Sequence, residues 1–160
     1  MAEMRVGLGY DLHRTIVGRP LVLGNVLIPH EKGLDGHSDA DIIVHALIDA
    51  LTGAAGLPDV GQLFPNTDPR YKNIDSGELL KAMVTVFKDA GWRLVNADII
   101  VLAQRPMLSP HKPAMIKRLA ELLGADESRI NLKGKTGERV GSVGKEKAMA
   151  CQCVVLIERA

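Results

Sequence analysis

The sequence predicts an α+β fold: one domain spanning residues 1–160, a β-sheet carrying helices on one face. Three observations lead there. Residues 4–13 alternate apolar and polar at strand period, three segments carry caps and stops around helical spacing, and short apolar runs separate them without strict strand-helix-strand repetition. A chain of 160 residues can bury about two thirds of its unfolded surface, enough for a single core.

The first strand, Met4 to His13, sets Val6, Leu8, Tyr10 and Leu12 against Arg5, Gly7, Gly9, Asp11 and His13. The second set reads as an open polar shelf, because two glycines precede the acid and the imidazole. Between Pro20 and His30, two apolar triplets flank Gly24-Asn25, a two-residue hairpin signal. A helix is expected from Asp39 to Ala55, with Ser38 as N-cap, Asp41 three residues on, and Gly56-Leu57-Pro58 as the stop. Residues 59–74 are rich in Gly, Pro, Asn and Asp without period and read as a loop. A second helix should run from Ser76 to Ala90, capped through Asp75 and Glu78 and stopped by Gly91. Trp92 to Leu102 follows as a strand. Ser109-Pro110 opens a third helix that ends near Leu123-Gly124. Arg129 to Lys133 and Ala148 to Glu158 supply the last strands, with a glycine-rich loop between them.

Composition narrows the function. Twenty Lys plus Arg against nineteen Asp plus Glu leave a net charge of +1, so no global field recruits nucleic acid or an anionic membrane. Five scattered aromatic residues are too few for a base-stacking platform. Cys151 and Cys153 share a strand face and are expected as reduced core thiols. No apolar stretch has membrane-span length and no signal peptide opens the chain, which makes the cytoplasm the expected compartment.

Asp11 and His13, at i and i+2, point to one side of the first strand. Alone, the pair reads as a hydrogen-bonded surface face. The first helix is apolar on nearly every side and should be buried, yet it carries the stripe Asp41, His45, Asp49. Such a stripe costs several kcal/mol unless its groups are paired or bind a metal. His45 therefore reads either as a core histidine satisfied by its helical neighbours or as a ligand. With Asp11 and His13 it would complete a three-ligand set with an open position, the pattern of a catalytic zinc site. Asp49 or Asp41 would then orient His45 through its other ring nitrogen. His37 and Ser38 precede the helix where free N–H groups can receive a phosphate, a role compatible with simple capping by Ser38. Gly134-Lys135-Thr136 is no P-loop, since Arg129 stands where that pattern needs glycine. Glu138, with Thr136 beside it, can hold a hard cation or be a solvated loop acid.

The motifs R-V-G-x-G-Y-D-x-H (5–13), G-H-S-D-A-D (36–41) leading to His45, G-x-L-F-P-N-T-D-P (61–69) and N-L-K-G-K-T-G-E (131–138) occur in one order along the chain. In that order they resemble the 2-C-methyl-D-erythritol 2,4-cyclodiphosphate synthase family. The resemblance implies a homotrimer with active sites between subunits. Its substrate would be 4-diphosphocytidyl-2-C-methyl-D-erythritol 2-phosphate, converted to the cyclic diphosphate and CMP in the non-mevalonate isoprenoid pathway. Asp11, His13 and His45 match zinc ligands, and Glu138 matches the ligand of a magnesium or manganese ion bridging the phosphates. His37 and Ser38 match phosphate contacts; Asp59 and Gly61, with Phe64 in the same motif, match the erythritol pocket. Ala103 to Ser109 and Gly134, Lys135 and Thr136 match the cytidine and diphosphate pocket of the adjacent subunit. Glu138, Thr136 and Asp49 are the residues expected to act in catalysis.

The chain also departs from the family pattern. Met107 stands where Lys is common, Asn66 where Asp is usual, Gly137 where a polar residue is usual, and Ser142 where an aromatic stands. Lys145 and Lys147 replace an Arg and a Glu lining the trimer's central cavity, where the family places an isoprenoid diphosphate; two lysines would favour an anion there. A metal-dependent phosphohydrolase and a zinc-stapled binding protein are the rival readings.

Overall fold

The computed structural model describes residues 3–65 and 67–160. The first strand runs further than expected: β1 spans Met4–Val17. A hairpin of β2 (Leu21–Leu23) and β3 (Val26–Ile28) follows, turning on Gly24 and Asn25 at φ of 59° and 58°. Two successive positive φ values are what a tight hairpin turn requires, and Gly-Asn tolerates them. Then come β4 (Lys32–Leu34), α1 (Ile42–Ala55), a short α2 (Val60–Leu63), α3 (Ser76–Asp89), β5 (Trp92–Leu102), α4 (Lys112–Leu123), β6 (Ile130–Lys135), a one-turn α5 (Gly141–Gly144) and β7 (Ala148–Arg159). Among the described residues no helix is long and apolar enough to cross a membrane.

Five strands form one sheet in the order β4-β1-β7-β5-β6. All neighbours are antiparallel except β5 and β6, which α4 joins as a parallel crossover. Helix α1 lies across β1 and β7, α3 packs beside it, and α4 packs beside α3 over β6. All three helices share one face of the sheet, as expected.

The face of β1 that meets α1 is the reverse of what its apolar residues suggest. Val6, Leu8 and Tyr10 are exposed, whereas Gly7 and Gly9 are buried beneath the helix. A Cβ at Gly9 would lie 1.8 Å from the Ala46 carbonyl oxygen, and one at Gly7 1.9 Å from that of Ala50. The glycines are thus no open shelf. They let the α1 backbone touch the strand, which seats α1 directly above Asp11 and His13. The apolar stripe of β1, with Val154 of β7, lies on the bare side of the sheet.

Helix α1 begins at Ile42 rather than Asp39, because Asp41 and not Ser38 is its N-cap. The fully buried Asp41 carboxylate accepts backbone N–H bonds from Gly24 (3.0 Å), Asn25 (2.6 Å), Ile43 (3.1 Å) and Val44 (3.2 Å). It therefore clamps the hairpin to the helix. Cys151 and Cys153 are free, buried thiols.

Candidate functional site

Three elements converge where β1 passes under the start of α1. Asp11 and His13 leave β1 on the helix-facing side, and His45 comes down from the first turn of α1. The Asp11 Oδ2 oxygen lies 3.1 Å from His13 Nε2 and 3.0 Å from His45 Nδ1. One ligand atom from each residue falls within 4.8 Å of the other two. Burial pushes the Asp11 carboxyl up, but hydrogen bonds to the two imidazoles outweigh it and hold the group at about 2. The bond to Asp11 raises His13 against the opposite pull of burial.

The far nitrogen of each imidazole is occupied. His13 Nδ1 lies 2.6 Å from the Asp35 carbonyl oxygen, which can only accept, so that nitrogen carries the proton. His45 Nε2 lies 3.0 Å from Ser76 Oγ and 3.2 Å from Ser38 Oγ. With neutral rings so held, the near nitrogens present lone pairs to a carboxylate. Three lone-pair donors this close are stable only with positive charge among them, supplied by protons or by a metal ion. Two imidazoles and a carboxylate with an open position fit a catalytic metal site.

The group opens into a cavity of about 340 Å³ whose lining includes His37, Ser38, Gly61, Phe64 and Tyr71. Phe64 and Tyr71 meet edge to face at 5.5 Å and form its apolar wall. His37 Nε2 is buried with no partner, the one such side-chain atom among the described residues, and so is free to contact a ligand. Segment 59–74 contains α2 and a 3-10 turn, Pro69–Tyr71, and is more ordered than a plain loop. Asp59 is not in the cavity lining; it caps α2, accepting from Gln62 N at 2.9 Å. Asn66 lies outside the described residues.

Two expectations about His45 are corrected. Asp41 is consumed by the four backbone N–H groups described above, and Asp49 Oδ1 accepts from Val60 N at 2.7 Å. Neither carboxylate orients the ring. The helical stripe places both near His45 in sequence, but each is taken up by backbone N–H groups instead. At the start of α1 the Asp41 side chain takes the N–H groups of Ile43 and Val44. Ser38 instead accepts from Ala40 N at 3.1 Å beside His45. Ser76 and Asp39 were not singled out from sequence: Ser76 Oγ donates to Asp39 Oδ1, and Ser76 N donates to Asp39 Oδ2 at 2.9 Å.

A second cavity, of about 420 Å³, gathers Ala103, Met107, Ser109, Gly134, Lys135 and Thr136. Thr136 Oγ1 donates to Glu138 Oε1 at 2.9 Å, and Glu138 sits in the left-handed region at φ 49°. The two cavities do not meet within one chain. From β1 to β6 the sheet takes three strand steps, about 14 Å.

A family model described as the YgbB family matches residues 4–158. The chain belongs to the YgbB family. It is 52% identical over 157 residues to the 2-C-methyl-D-erythritol 2,4-cyclodiphosphate synthase of Dechloromonas aromatica (strain RCB), covering 98% of each chain. Among solved structures, the Plasmodium falciparum IspF CDP complex matches with a TM-score of 0.86 at 35% identity, covering 98% of this chain and 96% of that one. A structure of 2C-methyl-D-erythritol-2,4-cyclodiphosphate synthase in its CDP-bound form gives 0.88 at 38% identity, covering 96% and 99%. YgbB-family membership at this identity makes the chain an enzyme of the cyclodiphosphate synthase type, acting in isoprenoid synthesis. Within the YgbB-family fold, Asp11, His13 and His45 form a group with the spacing to hold a metal ion.

Proposed function

We propose that the chain converts 4-diphosphocytidyl-2-C-methyl-D-erythritol 2-phosphate to 2-C-methyl-D-erythritol 2,4-cyclodiphosphate and CMP, at sites shared between copies of a homotrimer. The convergence of Asp11, His13 and His45 beside an unpartnered His37 is the observation that carries this reading.

An oxygen of the 2-phosphate attacks the β phosphorus. The new P–O bond forms as the bond from that phosphorus to the bridging oxygen breaks, and CMP leaves with the electron pair. Zinc on Asp11, His13 and His45, and magnesium or manganese on Glu138, would neutralise the diphosphate and align the reacting oxygens. The chain's own part is positioning. His37 and the Ser38 hydroxyl are placed to hold phosphate oxygens in the first cavity, where Gly61 leaves room for the erythritol unit. Phe64 and Tyr71 keep water, the competing nucleophile, from one side. Ala103, Gly134, Lys135 and Thr136 line a cavity suited to the cytidine diphosphate end, and the Thr136 hydroxyl fixes Glu138.

Two observations favour the trimer. The metal half lies on β1 and the other cavity at the ends of β5 and β6, three strand steps (~14 Å) away, so a substrate spanning both would bridge two copies. The bare sheet face also exposes Val6, Leu8, Tyr10, Leu12 and Val154, an apolar stripe that a neighbouring copy would cover. In such a trimer the exposed Lys145 and Lys147 of three copies would gather near the axis and favour an anion there.

Incubating the substrate with the zinc- and magnesium-loaded protein and recording phosphorus NMR of the products tests the reaction. A cyclic diphosphate with CMP is expected; a linear phosphate would identify a hydrolase instead.

A further inference from the structure

The hydroxyl that meets His45 is not free to choose its role. Ser76 is fully buried, and its proton is committed to the Asp39 carboxylate. Asp39 is itself fixed as an acceptor by the backbone N–H groups of Ser76 (2.9 Å) and Asp41 (3.1 Å). Ser76 Oγ can therefore only accept from the ring nitrogen 3.0 Å away. Ser38 Oγ, at 3.2 Å, already accepts from Ala40 N and has no carboxylate to take its proton. It cannot impose a direction on the bond.

We propose that Asp39 and Ser76 are positioning residues, a two-step relay that locks His45 as the Nε2–H tautomer and so aims the Nδ1 lone pair at the metal beside Asp11. The relay does for His45 what the Asp35 carbonyl does for His13. Its anionic end adds basicity, because a ring that donates to a carboxylate-polarised hydroxyl is a better ligand through its other nitrogen. The relay spans the start of α3 and the segment before α1, so it also ties the ligand's orientation to the packing of two helices. The proposal rests on the metal reading above: the cation takes the Nδ1 lone pair that, without it, would meet the Asp11 carboxylate 3.0 Å away.

Two variants separate the relay from mere structure. Ser76→Ala removes only the hydroxyl; the bond from residue 76 N to Asp39 and the Asp75 cap of α3 remain. Asp39→Asn removes the anion and sets an NH2 group against one of the backbone N–H donors of residues 41 and 76, so the Ser76 proton is no longer held. In zinc-loaded protein, nitrogen-proton NMR should show the His45 Nε2–H protected from solvent exchange in the wild type, because Ser76 Oγ accepts it. The same proton should exchange faster in Ser76→Ala and in Asp39→Asn. Zinc affinity, measured by competition with a chelating dye, should fall about 10- to 100-fold in each, with the melting temperature of Ser76→Ala little changed. If both variants keep wild-type zinc affinity and a protected Nε2–H, the relay alone is wrong. If the wild type itself binds no zinc, the metal reading fails and the relay with it.

Discussion

Replacing Gly9 with alanine should damage the metal site without touching a single ligand. The new Cβ would sit 1.8 Å from the Ala46 carbonyl oxygen, while real Cβ atoms stay beyond 3.0 Å, so strand and helix must part by about 1.2 Å. The obstacle is helix backbone, which cannot swing aside. Ala46 is the residue after His45, and Gly9 lies two residues before Asp11. The separation therefore falls between the ligands from β1 and the ligand from α1. Overpacking of this kind costs about 1–3 kcal/mol, which corresponds to roughly 4–8 °C in melting temperature per kcal/mol for a small domain and less for a chain of this size. A displacement of about 1 Å at a reacting centre costs on the order of a hundredfold in rate. The assay is threefold: denaturant unfolding, zinc per chain after dialysis, and turnover. Loss of zinc and activity beyond the loss of stability is expected. Unchanged zinc affinity and turnover in Gly9→Ala would refute the claim that these glycines set the strand-helix distance on which the site depends.

Other outcomes follow from single groups. Burial beside Asp39 pushes the Asp41 carboxyl from its usual 3.8 to about 6. Its protonation thus favours the folded state: the contribution is complete below pH 3.8 and lost as pH rises through 6. In chelator-treated protein, Asp41→Asn should be less stable throughout, and should flatten the fall in unfolding free energy between pH 4 and 6; an unchanged slope would contradict it. Burial also pushes the Cys151 and Cys153 thiols far up, so a thiol reagent at pH 8 should label neither until denaturant is added. Fast labelling of native protein would show that the sheet opens. Leu8→Asp places a charge in the exposed apolar stripe and should convert the proposed trimer to monomers by sedimentation, with native circular dichroism and lost turnover. An active monomer would remove the need for a shared site.

Much of the fold was legible because strand period and helix caps are local signals. The hairpin turned where Gly24-Asn25 indicated, and α3 began after Asp75 as expected. The strand β4 escaped notice: it is three residues long, with Gly33 at its centre, and is held by pairing to β1 rather than by any pattern of its own. Alternation in β1 announced two faces but not which one meets the helix. The deciding signal was the pairing of Gly7 and Gly9 with small residues at 46, 50 and 54, and it is legible only once β1 and α1 are known to touch. At the site, local spacing found Asp11 with His13. It misled for Asp41 and Asp49, whose helical register with His45 hid their bonds to distant backbone N–H groups. Ser76 and Asp39 are 37 residues apart, and nothing short-range marks their pairing.

The central claim is that each active site joins the metal half of one copy to the nucleotide half of another. Two inactive variants test it when refolded together: one carries His45→Ala, the other Lys135→Ala with Thr136→Ala. Random assortment into trimers leaves both halves intact at one site in four, so about one quarter of wild-type activity should return from an equal mixture. Activity no greater than the sum of the separate variants, in a mixture that demonstrably forms mixed trimers, would place the whole site within a single chain and contradict the account.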